Sequence, residues 1–166
     1  MSVDAHTFRK TMGCFATGVS VVTTCDEARN PVGVTVSSFT SLSLDPPLVL
    51  FCLDKKTSQL QAFRSSGRFA VNVLDESQRD VSARFASRGN DKWAGQDYEL
   101  RGDGSPILAG CLAWVDCTTT AIHEQGDHYI FVGLVRNLAY SDERRPLIYF
   151  RGTYEALAVT AETLGV

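Results

Sequence analysis

Hydrophobic positions near the start of the chain recur at helical spacing. Ala5, Phe8, Met12 and Phe15 follow one another at intervals of three and four behind Asp4, a residue suited to accept from the free N–H groups of a first helical turn. A short amphipathic helix is expected, with its apolar stripe over part of the core. After Gly18 the period changes: Val19, Val21 and the Thr23-Thr24 pair form a β-rich run, residues 26–31 supply turn formers, and residues 32–36 resume β character. This pattern predicts a hairpin. The run Pro47-Leu-Val-Leu-Phe-Cys-Leu53 is apolar without a break behind the breaker Asp45-Pro46, as in a central strand buried on both faces.

Thr57 or Ser58 is placed to cap a short helix carrying Leu60 and Phe63, and Arg68 to Leu74 alternates Phe69, Val71 and Val73 as a strand. A helix from about Ser77 to Ala86 follows. The piece from Ala86 to Pro106, rich in Gly, Asp and Arg, reads as a long excursion, and long ordered loops often carry function. Within it, Trp93 either shields a ligand or anchors the loop by burying its ring. Residues 111–122 and 128–138 are β-patterned and joined through Glu124-Gln-Gly-Asp127, which suits a tight hairpin. A last strand is expected through Leu147 to Phe150. Roughly six or seven strands with few helices favour a mainly β fold, an antiparallel barrel with small helices packed around it. The βαβ nucleotide folds fit poorly.

Composition narrows the function classes. At 166 residues, 44% hydrophobic and 21% charged, the chain matches one globular domain spanning 1–166 with a core of its own. Sixteen Lys and Arg against nineteen Asp and Glu leave a net charge of −3, with no basic excess to drive nucleic-acid or anionic-membrane binding. No apolar stretch approaches the roughly 20 residues of a membrane span, and MSVDAHTFRK lacks a signal-peptide pattern, so a cytoplasmic location is expected. The five cysteines stand singly with no C-x-x-C; small core residues are expected rather than a disulfide framework or zinc knuckle.

Standard motifs are absent. There is no G-x-x-x-x-G-K-[ST] and no G-x-S-x-G, and Gly102-Asp-Gly104 lacks the third glycine of a dinucleotide loop. His123 and His128 are five apart in a hairpin, not the four that would place both on one helical face, so no metal site is expected. The most polar feature of the expected core is Thr35-Val-Ser-Ser-Phe-Thr-Ser41. Hydroxyls and free N–H groups at a strand end can hold a phosphate or the edge of a planar heterocycle, although Ser/Thr clusters also mark turns.

Three segments carry a resemblance: Phe8-Arg-Lys-Thr-Met-Gly-Cys-Phe-Ala-Thr-Gly-Val-Ser-Val-Val-Thr-Thr24, Gly33-Val-Thr-Val-Ser-Ser-Phe-Thr-Ser-Leu-Ser-Leu-Asp-Pro-Pro47, and Gly126-Asp-His-Tyr-Ile-Phe-Val-Gly133. Together, and in this order, they resemble the short-chain flavin reductases that supply reduced flavin to two-component monooxygenases. The resemblance runs from about Phe8 to Tyr154. It implies a homodimeric FMN-binding split β-barrel that reduces FMN or FAD with NADH or NADPH. By position it implies flavin contacts from Val34, Thr35, Val36 and Ser37, with Ser38 near the phosphate end and Cys52, Leu53 and Asp54 as a second wall. Ser58 would donate to a flavin phosphate from a helix start, and Arg84 and Phe85 would complete the contacts. His128 is implied as the nicotinamide-side catalytic residue, with Tyr149 and Arg151 nearby.

Hydride transfer between stacked nicotinamide and flavin rings needs geometry and exclusion of water more than a strong acid or base. Backbone N–H groups of residues 34–37 would stabilise charge developing on the flavin ring. His128, neutral or protonated, would orient the nicotinamide carboxamide or stabilise that charge. Arg84 alternatively pairs with Asp80 four residues earlier, and Cys52 is a packing residue whose backbone alone meets a ligand. Arg144-Arg145 would suit a 2′-phosphate, leaving NADH against NADPH open, as is FMN against FAD. The rival readings are a split-barrel oxidase with fixed FMN and a noncatalytic flavin carrier.

Overall fold

The computed structural model describes residues 3–89, 91–101 and 104–158; Gly102 and Asp103 of the incomplete glycine motif, and Asn90, lie outside them. In chain order the elements are α1 (Ala5–Met12), β1 (Thr17–Gly18), β2 (Ser20–Cys25), β3 (Pro31–Val36), β4 (Thr40–Leu44), β5 (Pro47–Asp54), α2 (Leu60–Ser65), β6 (Arg68–Val73) and α3 (Arg79–Ala86). They continue as β7 (Tyr98–Arg101), β8 (Ser105–Leu108), β9 (Ala113–Gln125), β10 (His128–Tyr140), β11 (Ile148–Phe150) and β12 (Thr153–Glu155). The protein is mainly β.

One seven-stranded antiparallel sheet runs in the order β3-β2-β6-β9-β10-β5-β4, beside a three-stranded sheet β1-β11-β12 and the β7-β8 pair. Hairpins dominate because the chain offers turn chemistry at the right places. Asp26 accepts from the Asn30 amide at 2.7 Å with Arg29 at φ 64° between β2 and β3. Gly126, at φ 57°, opens the two-residue turn that leaves His128 opposite Gln125.

Strand alternation divides the core in two. Val22, Val32 and Val36 from one end of the sheet order meet Val49, Phe51 and Leu53 from the other in a cluster with Phe63, Phe69 and Phe131, although the sheet order itself is open rather than the barrel expected. Phe51 stacks on Phe131 at 5.0 Å and meets Phe69 edge-on at 4.8 Å, geometries that aromatic quadrupoles favour. Gly133 is required there: a Cβ would sit 2.3 Å from Phe69 Cζ and 2.8 Å from Cys117 Cβ. On the outer face of β2 and β6, Val19, Val21 and Leu74 pack with Phe85, Leu108 and Leu147, which seats α3, the excursion and the small sheet.

Several expectations change. The stripe of α1 covers no core: Phe8 is 57% exposed, Met12 53% and Phe15 71%. β5 is next to an edge of the sheet, and only Val49, Phe51 and Leu53 are buried while Leu48, Leu50 and Cys52 are half-exposed on the other face. An unbroken apolar run therefore marks a strand with a second apolar face, not one at the sheet's centre. The excursion contains β7 and the start of β8. Gln59, not Thr57 or Ser58, occupies the N-cap of α2, with no side-chain cap bond, whereas Asp4 caps α1 through the Thr7 amide at 2.8 Å as expected. Of the cysteines only Cys117 is fully buried, and Cys14 is exposed.

Candidate functional site

β3 delivers its residues to two sides. Val34 and Val36 lean on the main core, while Thr35 and Ser37 alternate toward α3. There Thr35 Oγ1 donates to the Ser82 carbonyl at 2.7 Å, and Ser82 Oγ shares a 2.8 Å hydrogen bond with Tyr154 Oη. These residues, with Val19, Val36, Ser37, Ala86 and Tyr149, line a cleft of about 170 Å³. Tyr149 and Tyr154 meet at 5.5 Å in an edge contact that forms one wall. The cleft thus brings together four of the expected contacts, Thr35, Val36, Ser37 and Tyr149, and adds Ser82 and Tyr154.

Close packing positions α3. A Cβ on Gly33 would lie 2.6 Å from the Phe85 ring, so glycine lets the helix approach the strand. Phe85, expected among the flavin contacts, is fully buried, with its ring packed against the Gly33 backbone and Trp93. Trp93 packs edge-on between Phe85 and Tyr98, both at 4.9 Å, and so anchors the excursion. Lys92 Nζ donates to the Phe85 carbonyl at 2.9 Å, and burial pulls its pKa below the usual lysine value. Arg84 does not pair with Asp80; its guanidinium donates to the Ala94 carbonyl at 3.1 Å.

The expected second wall is divided by the pleat. Leu53 points into the core at 2% exposure, whereas Cys52 and Asp54 face the opposite side. Ser38 is occupied structurally: its hydroxyl accepts from the Cys52 amide at 2.9 Å and donates to the Cys52 carbonyl at 3.1 Å, tying the end of β3 to β5. Asp54 accepts from the Lys56 amide at 2.7 Å and stands opposite His128 across the β5–β10 ladder. Ser58 is exposed in the turn before α2.

His128 opens β10, and its Nδ1 lies 2.7 Å from Asp127 Oδ1. That hydrogen bond, and then the charge of His128, hold the Asp127 carboxyl below the ordinary aspartate range. Lys55 fastens the turn, donating from its backbone amide to the Asp127 carbonyl at 2.9 Å and from Nζ to the Gly126 carbonyl at 2.7 Å and Glu124 at 2.5 Å. Tyr149 and Arg151, expected beside His128, belong instead to the small sheet and its turn. Arg151 lines a separate groove of about 510 Å³ against α1, with His6, Arg9, Lys10 and Cys14. No contact among the described residues joins His128 to either.

Sequence reasoning missed Ser82, Tyr154, Lys55 and Asp127. Ser82 was legible as a polar residue three before Phe85 on the buried face of an amphipathic helix, and Asp127 lay inside a quoted motif. Lys55 and Tyr154 acquire partners only through strand pairing.

The fold and site are those of a mainly β protein with a small hydroxyl- and tyrosine-lined cleft over a strand–helix contact. Residues 12–158 match the flavin reductase like domain, and the chain belongs to that family. It is 47% identical over 157 residues, 93% of this chain and 83% of the relative, to the reductase subunit of a flavin-dependent monooxygenase from Mycobacterium tuberculosis. Among solved structures it is similar to nitrilotriacetate monooxygenase component B from Mycobacterium thermoresistibile, with TM-score 0.88 and 46% identity over 97% of this chain and 94% of that one. It is also similar to an NADH:FAD oxidoreductase of Streptomyces globisporus in complex with NAD and FAD fragments, with TM-score 0.88 and 35% identity over 97% and 99%. No helix among the described residues is long and apolar enough to cross a membrane.

Proposed function

We propose that the protein is an NAD(P)H:flavin oxidoreductase that reduces FMN or FAD and releases the reduced flavin to a separate monooxygenase. The observation that carries this reading is the β3–α3 cleft: a strand edge with Thr35 and Ser37, hydroxyls of Ser82 and Tyr154, and a tyrosine wall, in a chain of the flavin reductase like family. These groups fit a ring that is apolar on its faces and polar on its edge. Bound flavin supplies the hydride-accepting chemistry; the chain supplies orientation and a dry enclosure. Thr35 and Ser37 would hold the ring edge, with backbone N–H groups of residues 34–37 beside it, and His128 would bind the nicotinamide side. Ser38, Cys52, Asp54, Ser58, Arg84 and Arg151 are assigned to the flavin tail and the dinucleotide by resemblance alone.

The cleft of about 170 Å³ in one chain falls short of the roughly 300 Å³ at which drug-sized ligands are enclosed. A second copy of the chain completes it in this reading, as a homodimer in which each sheet curls as a split barrel. Apolar surface on β5 and β10 (Leu48, Leu50, Ile130, Val132) and on α1 supports association. The function is tested by following NADH and NADPH oxidation by purified protein with FMN, FAD or no added flavin. Turnover that rises with added flavin supports the reductase; no turnover in any combination leaves a flavin carrier, and turnover independent of added flavin favours a fixed-flavin oxidase.

A further inference from the structure

The groove between α1 and the β11–β12 turn gathers cations without acids. His6, Arg9 and Lys10 follow one another at spacings of three and one and so share one side of α1. With Gly13, Cys14, Arg151 and Gly152 they line about 510 Å³. No carboxylate lines this space, in a chain whose acids outnumber its bases nineteen to sixteen. Among the described residues none of these side chains is held in an ion pair. Nor are they needed to cap α1, because its last carbonyls are taken by amides: Arg9 O by Gly13 at 2.9 Å, and Thr11 O and Met12 O by Cys14 and Phe15 at 3.1 Å. The opposite wall is fixed in place. From a left-handed φ of 49°, Arg151 donates its backbone N–H to the Gly13 carbonyl at 2.9 Å, and its guanidinium lies 5.0 Å over the Phe150 ring.

We propose that this groove is a binding site for a nucleoside diphosphate, its phosphates held between Arg9 and Lys10 on one wall and Arg151 on the other. Guanidinium groups meet phosphate oxygens through planar forks, and a lysine adds a mobile point charge. A bare phosphate would leave most of the volume to water, which falls in the roughly 300–1,000 Å³ of small-molecule sites. The methylene stems of Arg9 and Lys10 and the Cys14 thiol offer apolar surface to a base. The site is separate from the β3–α3 cleft and does not rest on the reading of that cleft. A nucleoside diphosphate unit occurs free, in FAD and in NADH, three sources of one chemistry.

The test titrates the full chain with ADP by calorimetry at low salt, with adenosine as the phosphate-free control and the alkylation rate of Cys14 as a reporter inside the groove. ADP should bind and slow the alkylation, and adenosine should do neither. The double variant Arg9→Gln/Lys10→Gln keeps good helix formers at two exposed positions. It should bind ADP about tenfold more weakly, the scale of two partly exposed ion pairs, with its thermal midpoint nearly unchanged. Arg79→Gln/Arg88→Gln, which removes two exposed cations outside the groove, should bind ADP as the wild type does. The source is then read from the groove variant. Weaker binding of FAD but not FMN assigns the site to FAD, a higher KM for NADH but not for reduced nicotinamide mononucleotide assigns it to the dinucleotide, and neither change assigns it to free nucleotide. No binding at millimolar ADP, adenosine bound as tightly as ADP, or equal losses in the two double variants overturns the site. A chain that binds ADP as expected but oxidises no NADH with any flavin overturns the reductase reading alone.

Discussion

At the scale of single residues, side chains expected to meet a ligand divide into those free to do so and those already committed. Ser38 spends its hydroxyl on both polar groups of Cys52. Ser38→Ala should leave a half-buried amide and carbonyl without partners and cost about 1–3 kcal/mol, measurable as a lowered urea midpoint. Ser37→Ala, with an exposed hydroxyl, should spare stability and weaken flavin binding instead; equal midpoints for the two variants would refute this division. Cysteine reactivity follows burial: desolvation pushes the thiols of Cys111 and Cys117 up to about 12, while Cys14 lies exposed at the end of α1. Because the thiolate is the nucleophile, alkylation of the native protein near neutral pH should label Cys14 first. Early labelling of Cys117 would contradict the core packing.

At the scale of elements, the cleft depends on how closely α3 lies on β3 and how the small sheet is tethered. Gly33→Ala would drive a methyl into Phe85 and Trp93, an overpacking expected to cost about 1–3 kcal/mol and to weaken flavin binding by displacing Ser82. Loss of stability with unchanged flavin affinity would show that the cleft does not need this contact. The small sheet is tied to β6 through Asp75, which accepts from Ser77 Oγ at 2.5 Å and from the Arg145 amide at 3.3 Å, while Leu147 bonds both Val19 and Leu74. Burial raises the Asp75 pKa, but those hydrogen bonds and the charge of Arg144 outweigh it and hold it below the usual aspartate value. A folded pKa below the unfolded one contributes stability at neutral pH that is lost on acidification through the folded value. Thermal melts should therefore fall below about pH 4, less steeply in Asp75→Asn; parallel acid limbs would reject the tether.

At the scale of the whole molecule, the sequence made seven of the twelve described strands legible because β residues alternate against a core and Gly, Asn and Asp mark the turns; the short β1, β4, β7, β8 and β12 bury no such alternating face and were not foreseen. Both long strands of the β9–β10 hairpin were visible, as was the cap of α1. The place of β5 was not: an apolar run looks the same whether its second face meets a helix, a sheet or a surface. The cleft was half-legible. Thr35 and Ser37 lie in a motif, but Tyr154 and Lys55 come to their partners by pairing across long sequence separations, which no local pattern records. Nor does a sequence position say which way a side chain points: Phe85, expected among the flavin contacts, turns its ring into the outer core cluster.

The central claim is that flavin is taken up, reduced and released. The most direct measurement mixes the protein with FMN or FAD and excess NADH without oxygen, follows the bleaching of oxidised flavin, and assays reduced flavin passing an ultrafiltration membrane. The account predicts many equivalents of flavin reduced per chain and recovered in the filtrate. Reduction limited to one equivalent that stays with the protein would contradict it.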